Sequence, residues 1–124
     1  MKLTVLILFL VVILSDAAGD AFNDSGRKVL GHILCAIAVL LLLISPFLIK
    51  DVSIGFYIAA FICLRIALFD IVYNLTKGSK WYYIGNSGLW DKFLRLIDPG
   101  KHLIVGRIIF LIAGLGMIIT SVTN

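Results

Sequence analysis

Apolar residues run almost unbroken through positions 29–49, 52–75 and 103–122, and short polar pieces separate them. Crossing a hydrocarbon core of about 30 Å takes roughly 20 mainly apolar residues, so each stretch predicts a transmembrane helix. Runs such as LCAIAVLLLLI and IIFLIAGLGMII lack the alternation that the strands of a membrane barrel would show. The expected fold is an all-α integral membrane protein, a single membrane domain over residues 1–124. It has three full-length transmembrane helices, a shorter N-terminal fourth at about 3–18, and an interfacial amphipathic helix at about 88–98.

The N-terminal pattern has three readings: a signal peptide, a retained first helix, or a short helix that dips in and packs against its neighbours. Residues 3–14 (LTVLILFLVVIL) follow Lys2 and precede Ser15-Asp16-Ala17-Ala18-Gly19-Asp20-Ala21. A basic start, a short apolar core and then small residues is the pattern of a signal peptide, with Ser15-x-Ala17 or Gly19-x-Ala21 as cleavage sites. Continuing the helix through Ala17 and Ala18 gives instead a retained first helix. Lysine and arginine positions favour retention. Only Lys50-Asp51 separates the second and third apolar stretches, so these form a hairpin, and segments 15–28 and 76–102 fall on one side. That side carries Arg27, Lys28, Lys77, Lys80, Lys92, Arg95 and Lys101, against Lys2 and Lys50 opposite. The positive-inside tendency therefore places both segments in the cytoplasm.

Local signals fill in the elements. Ser45-Pro46 lies near the end of the second span, where proline removes a helix hydrogen bond. Asp51 or Ser53 is placed to cap the third span, and Gly78 to end it. Gly106, Ala113, Gly114 and Gly116 allow another helix to approach the last span closely. Leu89, Trp90, Phe93, Leu94 and Ile97 recur at helical spacing, with Asp91, Lys92, Arg95 and Asp98 elsewhere. This describes a helix lying in the headgroup layer, with Asn86 or Ser87 at its start and Pro99-Gly100 at its end. Trp81, Tyr82, Tyr83, Trp90 and Phe93 are the expected interfacial anchors.

Composition sharpens the picture. Hydrophobic residues make up 61% of the 124 and the formal net charge is +4, which suits anionic membrane lipids as partners. No basic run exceeds Arg27-Lys28, so nucleic acid is not an expected partner. Cys35 and Cys63 lie at different depths of one hairpin, by about four residues or roughly 6 Å, and are expected as free thiols packed among apolar neighbours.

Candidate chemistry rests on polar residues that hydropathy does not explain. Arg65 falls near the middle of the third span, Asp70 nearer its cytoplasmic end, and Arg107 shortly inside the last. Intramembrane charges usually face protein and find partners. Asp70 and Arg107 lie about four and five residues from the same face, which predicts an ion pair between antiparallel helices. Arg65 and Asp70 are about 140° apart on their helix, whereas Asp70, Tyr73 and Asn74 share a side. The threading gathers His32, Arg65, Asp70, Tyr73, Asn74, Asp91, His102 and Arg107 into a candidate polar cluster towards one membrane face.

No cofactor, metal or catalytic residue is assigned. His32 and His102 lack the H-E-x-x-H spacing, there is no Gly-rich phosphate loop, and Ser53, Ser79 and Ser87 have no identifiable base. Asn23-Asp24-Ser25 and Asn74-Leu75-Thr76 match the glycosylation pattern, yet both are cytoplasmic in this threading. The leading expectation is a small non-catalytic membrane protein, a subunit or self-associating component of an assembly, joined to a protein partner or a homo-oligomer through small-residue helix faces. The rival is a lipid- or anion-handling membrane enzyme or transporter using a polar pocket at the cytoplasmic face.

Overall fold

The structure, a computed structural model, describes residues 2–49, 53–83, 89–97 and 104–120. Five helices are built: α1 (Lys2–Asp24), α2 (Lys28–Leu48), α3 (Ile54–Thr76), α4 (Leu89–Ile97) and α5 (Ile104–Thr120). The first three are each long and apolar enough to cross a membrane. The described part of α5 has 17 residues, or about 26 Å of helix.

The largest departure from expectation is α1. Predicted to stop near residue 18, it continues to Asp24, and residues 15–24, predicted as a cytoplasmic segment, belong to this helix. Val5, Phe9, Ile13, Ala17 and Ala21, each four residues after the last, are all no more than 2% exposed. This spacing gives one continuous buried stripe. Its second half needs only alanine because the neighbouring helices approach closely there. The aspartates that seemed to end the helix are accommodated by partners on α2 and α3, described below.

α1 occupies the middle of the bundle, with α2 on one side and α3 on the other, while α5 packs chiefly on α3. The turn between α1 and α2 needs Gly26, whose φ of 82° lies in the left-handed region open to glycine. α1 and α2 meet at two glycines. A Cβ on Gly19 would lie 2.9 Å from the carbonyl oxygen of Gly31, and one on Gly31 2.7 Å from that of Gly19. Of the small residues predicted to admit a neighbour on α5, Gly114 does so: a Cβ there would stand 2.8 Å from Leu64 Cγ. Nothing lies within 4 Å of one on Gly116.

The main core joins Val5, Phe9 and Ile13 of α1 to Ala60 and Leu64 of α3, Ile118 of α5, and Ile49. Phe9 is wholly buried, with Tyr57 and Phe61 tilted against it at centroid distances of 4.7 and 5.4 Å. α2 runs through Pro46 without ending. Proline has no N–H for the carbonyl of Leu42, and the Ser45 hydroxyl donates to that carbonyl at 2.6 Å instead. Tyr57 in turn donates to the Ser45 hydroxyl, tying α3 to α2 near their connection. Ser53 occupies the position before α3, but its side chain makes no capping bond. Gly78, predicted to end the third span, follows α3 with a φ of 75°, whereas Asp51, Asn86, Ser87, Asp98, Pro99 and Gly100 lie outside the described residues.

α4 lies along the flank of the bundle. Its Leu94 is 5% exposed and packs with Ile66 and Phe110. Ile66 is ten residues from the end of α3, or about 15 Å along it. Leu89, Phe93 and Leu96 point away from the bundle. One side of the apolar arc therefore faces protein and the other faces outward.

Candidate functional site

α1 and α3 run side by side in the same direction, and each carries polar or aromatic residues at intervals of four. On α1 these are Asp16, Asp20 and Asp24; on α3 they are Arg65, Phe69, Tyr73 and Lys77. Positions four apart share a helix face, so two ladders stand next to each other. Asp16 Oδ2 accepts from Arg65 Nε at 3.2 Å and from Nη2 at 2.8 Å. At the far end Tyr73 donates its hydroxyl proton to Asp24, and Lys77 Nζ lies 3.9 Å from the same carboxylate. The α3 ladder is also bound along its own length. The Arg65 guanidinium sits 4.1 Å over the Phe69 ring, Phe69 stacks on Tyr73, and Lys77 lies 5.4 Å over Tyr73.

Asp20, in the middle, is placed differently. Its carboxylate accepts from the Cys35 thiol of α2 at 3.7 Å, a long and weak bond. That contact also gives a depth. Cys35 is seven residues past Lys28, where α2 begins, or about 10 Å along the helix. Asp16 lies one turn further along, about 16 Å from the α1–α2 turn. The Arg65 and Asp16 side chains remain 36% and 27% exposed.

The second polar site is closed. Arg107 on α5 is 7% exposed and Asp70 on α3 19%, with Nη2 3.7 Å from Oδ2. At that separation the carboxylate supplies opposite charge without a hydrogen bond. The three guanidinium nitrogens are buried and have no hydrogen-bond partner among the described residues. Asp91 of α4 lies near enough to act on Asp70 electrostatically. A cavity of about 150 Å³ opens beside this pair between α3 and α5, lined by Ala67, Leu68, Ile71, Trp81, Ile104, Ile108, Leu111 and Arg107. The guanidinium nitrogens are sealed from it, so its wall is hydrocarbon. An anion reaching them would first have to part the helices.

Asn74 serves the chain itself. It is 3% exposed, and its Nδ2 donates to the carbonyls of Trp81 and Tyr83 at 3.2 and 2.6 Å. Those bonds fold the aromatic segment back onto the end of α3, after a turn at Gly78 with φ 75°. A glycan on this nitrogen would break them. Asn23, in the other glycosylation pattern, is held between α1 and α2 beside Gly31.

The eight residues of the predicted polar cluster therefore separate. Arg65 pairs with α1; Asp70 and Arg107 face each other, with Asp91 of α4 near Asp70; Tyr73 joins the α1–α3 ladders; Asn74 anchors the loop; His32 is exposed on α2. His102 lies outside the described residues. Among the expected anchors, Trp81 and Tyr83 are exposed and Tyr82 is half-buried, its ring edge-on to Trp81; the Trp90 side chain is not among those described. Sequence reasoning passed over Asp16, Asp20 and Asp24, although their spacing of four was visible. Asp16, Asp20 and Cys35 bring two oxygens and a sulfur within 4.8 Å of one another, and the Asp16 carboxylate is engaged through Oδ2 by two N–H groups of Arg65. Both cysteines are free.

These features define an all-α helical bundle with the make-up of a membrane protein, tied together by ion pairs between its helices. Compared with known proteins, the chain matches no family model, no curated protein and no solved structure.

Proposed function

We propose that the protein is a non-catalytic, multi-pass membrane component that works within an assembly. The observation that carries this reading is the Asp16–Arg65 pair, half-open on the side of the bundle; about 16 Å from the α1–α2 turn, it falls near the middle of a core of about 30 Å in a bundle that spans the membrane. Hydrocarbon is a poor neighbour for a guanidinium with unused donors, and such groups usually face protein or a water-filled cavity. A second feature supports the same reading. Towards the opposite end, an open groove of about 290 Å³ is lined by Ser53, Gly55, Phe56, Ala59 and Met117. Gly55 and Ala59 are four apart, a small-residue spacing that lets helices approach.

The lipid- or anion-handling alternative places its pocket at Asp70 and Arg107, where the arginine nitrogens are sealed, and the more open Arg65 is already held by Asp16. α1 stays part of the working protein, because its stripe from Val5 to Ala21 fills the core. The turn at 25–27 and the segment from 76 to 102 then face the cytoplasm, where their basic residues meet anionic headgroups. α4 folds back along the bundle, with Leu94 on Ile66 and Leu89, Phe93 and Leu96 towards the acyl chains.

The test is native mass spectrometry of the full chain released from a mild detergent. The reading expects a homo-oligomer or a stoichiometric protein partner. A bare monomer that retains a phospholipid or small anion would overturn it in favour of the alternative.

A further inference from the structure

We propose that the face shared by α1 and α3 is a homodimer interface, in which Arg65 of each copy reaches the partner's Asp20. The proposal rests on the assembly reading above and names its partner, a second copy of this chain.

Three observations converge on it. Arg65 spends two of its five N–H donors on Asp16, and its side chain stays 36% exposed. Three donors are left for a further partner, on a guanidinium that also lies over the Phe69 ring. Asp20, one turn from Asp16, is half-buried and among the described residues is bonded only by the Cys35 thiol, at 3.7 Å. Unused donors and an under-used carboxylate thus lie about one helical turn apart on one surface. Finally, among the described residues α2 and α3 pack far more on α1 than on each other, meeting near their connection at Ser45 and Tyr57. The strip of α1 that bears Asp16 and Asp20 is left between them, with Cys35 on one side and Arg65 on the other.

Symmetry then selects the partner. Two copies in one membrane with the same orientation are related by a two-fold axis along the membrane normal, which brings each residue opposite others at its own depth. A surface carrying only acids would repel its image. This one carries Asp16, Asp20 and Asp24 with Arg65 and Lys77, so cations on one copy meet carboxylates on the other at neighbouring depths. In the dimer the Arg65 guanidinium bridges its own Asp16 and the partner's Asp20, and its charge leaves contact with lipid.

The test measures self-association of the full-length protein in lipid nanodiscs and mild detergent, using two differently tagged copies and native mass spectrometry. Wild type should be dimeric. Asp20→Asn, which keeps the shape and removes one charge-assisted bond per half-site, should raise the dimer dissociation constant roughly ten- to a hundredfold. Leu40→Ala, on the exposed side of α2, should leave it unchanged, and thermal unfolding of both variants checks that they fold. A dimer indifferent to Asp20→Asn would overturn this interface and leave the assembly reading standing. A monomer bound stoichiometrically to a different membrane protein would do the same. A monomer with no protein partner, its Cys35 freely labelled by a small impermeant thiol reagent, would overturn both and show the strip to be water-lined.

Discussion

Removing either member of the Asp70–Arg107 pair should destabilise the fold, and unequally. Arg107 is 7% exposed and Asp70 19%. Asp70→Asn leaves a guanidinium enclosed between α3 and α5 with no carboxylate beside it. Breaking a buried pair in this way costs about 3–5 kcal/mol. Arg107→Gln leaves a carboxylate with more access to its surroundings, and the smaller desolvation gives an expected loss of about 1–3 kcal/mol. The double variant should recover at least about 1 kcal/mol of the summed losses, because two amides can hydrogen-bond and no uncompensated charge remains. Reversible unfolding by a denaturing detergent, titrated into protein held in mild detergent, measures all four corners of the cycle. Losses that add within about 0.5 kcal/mol would show that the groups do not interact. A larger loss for Arg107→Gln than for Asp70→Asn would refute the view that the arginine is the more deeply enclosed partner.

Other perturbations test other joints. Asn74→Ala removes both bonds to the carbonyls of Trp81 and Tyr83, so the 78–83 segment should become cleavable by protease and stability should fall by about 1–3 kcal/mol; an unchanged digestion pattern would refute the anchoring role. Gly31→Leu places a side chain against the carbonyl of Gly19 and should separate α1 from α2, read as loss of a disulfide engineered between the two helices that forms readily in the parent. Tyr57→Phe deletes the donor to Ser45 and should cost about 0.5–1.5 kcal/mol, whereas Phe56→Leu on the exposed side should cost less in the same titration. Ser79→Cys, in a background without Cys35 and Cys63, should resist an impermeant thiol reagent in intact cells; ready labelling from outside would reverse the proposed orientation.

The sequence by itself determined the class of fold, because long apolar runs between charged turns have few stable forms in a membrane: every backbone group must be bonded within the segment. It also placed Asp70 and Arg107 at one level, since a rise of 1.5 Å per residue converts distance along the chain into depth. Tertiary structure decided where α1 ends. Ser15, Asp16, Gly19 and Asp20 are locally poor continuations of an apolar helix, and only Arg65 on α3, Cys35 on α2 and the close approach of Gly31 make that continuation favourable. It likewise decided the partner of Arg65, which depth alone could not choose because it says nothing of which helices are neighbours. The chain order puts α2 next to α3, yet the packing puts α1 between them. That exchange of neighbours sets the aspartate ladder against the arginine, and no pattern within a single helix contains it.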